Sequence, residues 1–196
     1  MNHPQPSSSP PTEPLPSLED QRFTLIEHLS ELRKRVGWAL VFVIIGTCCT
    51  FYFVDPIFHF LVQPITPYLP PPGKLIVISP LEQVVAYLRI AVISGMFLAS
   101  PGIFLQVWGF IAPGLYPQEK KFVLPFIFFG TLFFIGGAAF AYYVMLPATF
   151  KFLVAVLPVD VTPQYTVEKY FSLVTQLLLA MGIIFELPLV IAMLAL

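Results

Sequence analysis

Two carboxylates in this 196-residue chain stand among basic residues at the edges of apolar stretches. Glu31 sits in HLSELRKR, residues 28–35, followed by Arg33, Lys34 and Arg35, while Glu119 directly precedes Lys120 and Lys121. An ionised carboxylate accepts hydrogen bonds on both oxygens, and a guanidinium presents a planar fork that matches it, so two such groups facing one compartment could each take an arginine. A charge-assisted pair of this kind is worth roughly 1.5–3 kcal/mol when partly desolvated, and lysine, a point donor, fits it less well. The same spacing also serves a purely local arrangement. Glu31 can pair with Arg35 one helical turn later and Glu119 with the lysines after it, each for about 0.2–0.5 kcal/mol. Spacing alone leaves both arrangements open.

A third carboxylate, Glu186, lies inside an apolar run with Pro188 two positions later. An acidic side chain near the centre of a membrane helix costs roughly 2.5–3.5 kcal/mol, so it must face the interior of a bundle or a wet cavity. Pro188 also frees the carbonyl of Ile184. Glu186 therefore either makes a structural hydrogen bond to a neighbouring helix or forms a polar patch that receives a partner or substrate segment. Gln106 and Gln176 are weaker versions of the same feature, suited to joining helices. Trp108, Phe110 and Tyr116 read as an aromatic belt at the membrane interface. Cys48 and Cys49 are adjacent within an apolar run, which suits neither a disulfide nor a metal site and leaves them as small apolar fillers. The sequence holds no nucleophile–base pair, phosphate-cradling glycine loop or metal-ligand cluster, so neither an enzyme nor a cofactor is expected.

The elements that must position these groups follow from composition. Hydrophobic residues make up 57% of the chain and charged ones 11%, far below the roughly 25% charged usage of soluble domains. The runs lack strand-like alternation, which predicts an all-α, polytopic membrane protein rather than a β-barrel. A net charge of −1, with basic residues scattered at span edges, excludes a nucleic-acid-binding face. Residues 1–21, rich in Pro and Ser, predict a disordered tail that lacks the pattern of a cleavable signal peptide. Residues 23–35 predict an amphipathic helix on the membrane surface, followed by spans at about 36–54, 84–111, 122–145 and 170–196. Residues 55–72 are broken by prolines and must leave the hydrocarbon, with a short interfacial helix around Ile57–Leu61. Pro101 is expected to kink the second span, and Arg89 to snorkel from its first turns. Gly130, Gly136, Gly137, Ala138, Ala139 and Ala141 offer a small-residue packing surface in the third, and a loop is expected from Pro147 to Lys169. The basic residues Arg22, Arg33, Lys34, Arg35, Lys120 and Lys121 on one side outnumber Lys74, Arg89, Lys151 and Lys169 on the other. That bias predicts a cytoplasmic N-terminus, a cytoplasmic 112–121 turn and two external Pro-rich loops.

The order of these features resembles the TatC family, the polytopic receptors of the twin-arginine protein translocase. The resemblance rests on HLSELRKR at 28–35, SPLEQ at 79–83, SPGIFLQVWGFIAPGLYPQEKK at 100–121, FAYYVMLPATFKF at 140–152 and MGIIFELPLVI at 181–191. It implies a glove-shaped bundle with six spans and both termini in the cytoplasm, of which this chain holds four, with the fifth and sixth and the loop before them absent. It also implies that Glu31 and Glu119 bind the paired arginines of a signal peptide, with Arg33, Arg35 and Phe110 as neighbours. Glu186 would face the concave pocket, and Pro64, Pro101, Gln106 and Tyr142 also match positions the family uses. The implied partners are twin-arginine signals of folded cargo, single-span TatA- and TatB-type subunits, membrane lipid and further copies of the chain within the translocon. The implied setting is the bacterial cytoplasmic (inner) membrane, and the implied energy source is the proton-motive force. The competing reading is a proton-coupled small-solute transporter with Glu186 as relay, which predicts an internal repeat that the chain does not display.

Overall fold

The computed structural model describes the backbone of residues 18–69, 71, 73–111, 123–158, 161 and 163–194, and side chains from residue 28 to residue 192 within those ranges. Six α-helices account for most of it: α1 (Leu18–Tyr52), α2 (Val54–Val62), α3 (Pro80–Ile111), α4 (Val123–Phe140), α5 (Leu146–Val156) and α6 (Val167–Leu194). Among the described residues, four stretches are long and apolar enough to cross a bilayer, namely His28–Tyr52, Pro80–Ile111, Val123–Val156 and Val167–Ala192, with mean hydropathies of 1.6 to 2.1. Large apolar side chains such as Ile45, Leu98, Leu124, Phe128 and Ile191 point outward. Water would penalise that surface, whereas lipid is a matched solvent for it.

Helices α1 and α3 run antiparallel along a seam of small residues. A Cβ on Gly46 would lie 2.5 Å from the carbonyl oxygen of Gly95, and one on Gly95 would lie 2.5 Å from the backbone nitrogen of Thr47. The backbones therefore approach as only two glycines allow. One turn further along, Thr50 Oγ1 donates across the seam to the Ala91 carbonyl at 2.7 Å. In the other direction the Phe42 ring covers Gly102, and the Arg35 guanidinium fills the space beside Gly109. The contacts on α3 at 91, 95, 102 and 109 fall four and seven residues apart, which keeps them on one face of the helix.

Helix α6 packs on α4 through a second close approach. A Cβ on Gly137 would collide with the Met181 carbonyl, and Gly182 lies under the Phe134 ring. Of the small residues expected to pack in the third span, Gly130, Gly137 and Ala141 are buried and Ala138 packs against the core, whereas Gly136 faces open space and Ala139 is exposed. The buried core sits at the end of the bundle where α2, α5 and the start of α6 meet, around Ile65, Ile90, Leu146, Phe171 and Val174. Tyr142 Oη donates to the Phe60 carbonyl at 2.7 Å and Tyr170 Oη to the Leu61 carbonyl. At the same end Ile76 N donates to the Tyr165 carbonyl and Val167 N to the Ile76 carbonyl, both at 3.0 Å, tying the two Pro-rich connections together.

Several boundaries differ from the sequence expectation, and α1 already begins at Leu18, inside the 1–21 stretch expected to be a disordered tail. No break separates a surface helix from a span near residue 35, because α1 is continuous from Leu18 to Tyr52. Polarity changes there, but every residue of the run can keep its helical hydrogen bond. The third span does not end at Met145 in a loop. A π-helical turn, Ala141–Met145, leads into α5, with Leu146 N donating to the Ala141 carbonyl. Pro147 thus falls in the first turn of a new helical segment, where its missing N–H costs nothing. Pro101 lies inside α3, and Ser100 Oγ donates at 2.7 Å to Phe97 O, the carbonyl that the proline leaves without its N–H.

Candidate functional site

Glu31 and Arg35 lie on one face of α1 because they are four residues apart. Arg35 Nε and one terminal nitrogen both donate to Glu31 Oε1, at 3.0 and 2.6 Å. The two N–H groups converge on a single oxygen, so Arg35 makes no fork across both carboxylate oxygens. Both side chains are about one third exposed or less, at 33% for Glu31 and 27% for Arg35. The guanidinium also reaches α3, where a Cβ on Gly109 would overlap it. The absence of a side chain at Gly109 therefore makes the notch in which this cation rests.

The pair opens onto a cleft of about 570 Å³ lined by Ser30, Glu31, Lys34, Arg35, Trp38 and Gln106. Beside it lies an apolar cleft of about 120 Å³ between Leu32 and Val36 of α1 and Val107 and Phe110 of α3. Phe110 stacks on His28 with ring centroids 4.4 Å apart, holding the same ends of α1 and α3 together. Polar and apolar subsites thus adjoin, so a segment bearing a cation followed by apolar residues fits the surface. Arg33 stays exposed on α1. Glu119 and Tyr116, with the rest of the expected 112–121 turn, lie outside the described residues.

Glu186, Gln106 and Tyr142, all intramembrane polar candidates, fall at three different places. Gln106 belongs to the α1–α3 cleft beside Glu31. Tyr142 is buried, stacks on Phe60 at 4.4 Å and borders an apolar cavity of about 540 Å³ together with Phe97 and Leu178. Glu186 lies on α6 one turn beyond Gly182. Among the described residues its Oε1 is buried without a hydrogen-bond partner, as are Thr131 Oγ1 and Trp108 Nε1. Next to Thr131, Gly130 lies against Phe104 of α3 and Leu189 of α6. Pro64 follows α2, partly buried, and Pro188 lies within α6. Gln176 is exposed, its Nε2 donating to Ser172 Oγ at 3.5 Å.

His28, Trp38 and Gly109 escaped the sequence reading. The first lies within HLSELRKR, but its role depends on the register of α1 against α3. No group of three or more potential metal ligands occurs among the described residues.

A family model described as Sec-independent protein translocase protein (TatC) matches residues 27–196. The chain is 38% identical over 176 residues to the Sec-independent protein translocase protein TatC of Koribacter versatilis, covering 88% of this chain and 65% of that protein. To the TatC of Magnetococcus marinus it is 37% identical, covering 86% of this chain and 62% of that protein. A crystal structure of a twin arginine translocase receptor, TatC, superposes with a TM-score of 0.75 at 38% identity, covering 83% of this chain and 72% of that one. The chain thus spans a little under two thirds of the length of these two curated relatives. Four membrane-length helices, an all-helical fold and this match across most of the sequence make the chain a member of the TatC family.

Proposed function

We propose that this protein is the receptor subunit of a twin-arginine translocase in the bacterial cytoplasmic membrane, binding the paired arginines of signal peptides on folded cargo. The observation that carries this reading is the α1–α3 cleft, in which Glu31 already holds a guanidinium beside an apolar groove. One signal arginine takes Glu31. Glu119, eight positions after the end of α3, takes the other, and the apolar part of the signal runs along Leu32, Val36 and Phe110. The N-terminus is cytoplasmic by the excess of basic residues at that end.

Recognition is followed by assembly. TatA- and TatB-type single-span partners gather at the polar inner face marked by Glu186, further copies of the chain join, and the proton-motive force drives transport. A buried carboxylate oxygen with no partner among the described residues suits a surface completed by another helix. The protein acts by binding, with no chemical step of its own.

The test is site-specific crosslinking of a signal peptide to the 112–121 turn. A peptide with Arg-Arg crosslinks there and the same peptide with Lys-Lys loses most of the product. Equal crosslinking of the two would refute arginine recognition.

A further inference from the structure

Resting on the reading of Glu31 as an arginine acceptor, we infer that Arg35 is a built-in occupant of that site, which an incoming signal arginine must displace. Three observations place a guanidinium cradle here. Glu31 Oε1 accepts two N–H groups from Arg35, Gly109 lacks the Cβ that would fill the notch, and the Gln106 amide, which can accept from an N–H, lines the same cleft. Arg35 therefore occupies the position that a ligand guanidinium would need.

The internal contact is the weaker match. Arg35 uses one carboxylate oxygen, because its backbone is fixed one turn away on the same helix. A ligand arriving from the cleft has no such tether and can fork across Oε1 and Oε2. Exchange is thus favourable for an arginine and poor for a lysine, which offers no planar fork. When the site is unliganded, Arg35 keeps the Glu31 carboxylate paired. It acts through Glu31, as a positioning residue.

The experiment measures affinity for a synthetic Arg-Arg signal peptide by the protein in lipid nanodiscs, across Arg35→Gln, Glu31→Gln and the double variant. Removing an internal competitor of surface ion-pair strength tightens binding roughly two- to five-fold in Arg35→Gln. The gain vanishes in the Glu31→Gln background, because the competition is for that carboxylate. An equal gain in both backgrounds would mean simple charge repulsion and would overturn the inference, as would unchanged or weaker binding in Arg35→Gln. Arg35→Lys, which keeps the charge and loses the fork, shows an intermediate gain, and no gain there would likewise count against displacement. If the wild-type protein already fails to prefer Arg-Arg over Lys-Lys, the functional reading fails as well. If it keeps that preference and only the Arg35 gain is missing, the displacement alone is wrong.

Discussion

Substituting Gly46 by Ala tests the contact that sets the α1–α3 cleft. The added Cβ would sit 2.5 Å from the Gly95 carbonyl oxygen, whereas carbon and oxygen settle at about 3.3–3.6 Å. The helices must therefore part by roughly 0.8 Å locally. The Thr50–Ala91 hydrogen bond one turn away, now 2.7 Å, would stretch to the edge of bonding distance, about 3.5 Å. Interhelical hydrogen bonds in membranes contribute about 0.6–1.7 kcal/mol, and overpacking costs about 1–3 kcal/mol. A net loss of roughly 1–3 kcal/mol lowers the melting temperature by about 2–10 °C. Intrinsic tryptophan fluorescence during heating in detergent reads it. Gly136→Ala is the control, since nothing lies within 4 Å of a Cβ there. Both variants gain the same helix propensity, up to about 1 kcal/mol, so their difference isolates the seam. Equal melting temperatures would refute the close approach and with it the rigid setting of the cleft.

Ser100→Ala leaves the Phe97 carbonyl, already deprived of its N–H by Pro101, without its hydroxyl donor, and lowers stability by about 0.6–1.7 kcal/mol. Adding Pro101→Ala restores part of that loss, which a double-mutant cycle of melting temperatures reads out. Tyr142→Phe keeps the stack on Phe60 but loses the bond to its carbonyl, costing about 0.5–1.5 kcal/mol by thermal unfolding. Glu186→Ala leaves Arg-Arg peptide affinity in place and reduces co-purification of single-span partners and export. Unchanged recruitment and export would remove the partner role from Glu186.

The helical, membrane-spanning character was legible from composition, because apolar runs without alternation have few other folds. The ends of the spans were less so. Pro147 reads as a terminator, yet a π-helical turn before it shifts the backbone register and lets the helix resume. The charged stretch before Val36 reads as a separate surface element, yet a change of polarity breaks no backbone hydrogen bond, and α1 runs through it. At the site, the Glu31–Arg35 pair was visible as a local option at i, i+4. Its convergence on one oxygen, the notch at Gly109 and the stack of His28 on Phe110 all depend on how α1 sits against α3. That register follows from Gly46 and Gly95, which lie 49 positions apart in different spans. Neither carries a periodic signal of its own.

The affinity ratio of Arg-Arg to Lys-Lys signal peptides for the reconstituted protein tests the arginine-receptor reading most directly. Loss of even one forked carboxylate pair, at roughly 1.5 kcal/mol or more, predicts at least a tenfold preference for Arg-Arg. Equal affinity for the two peptides would contradict it.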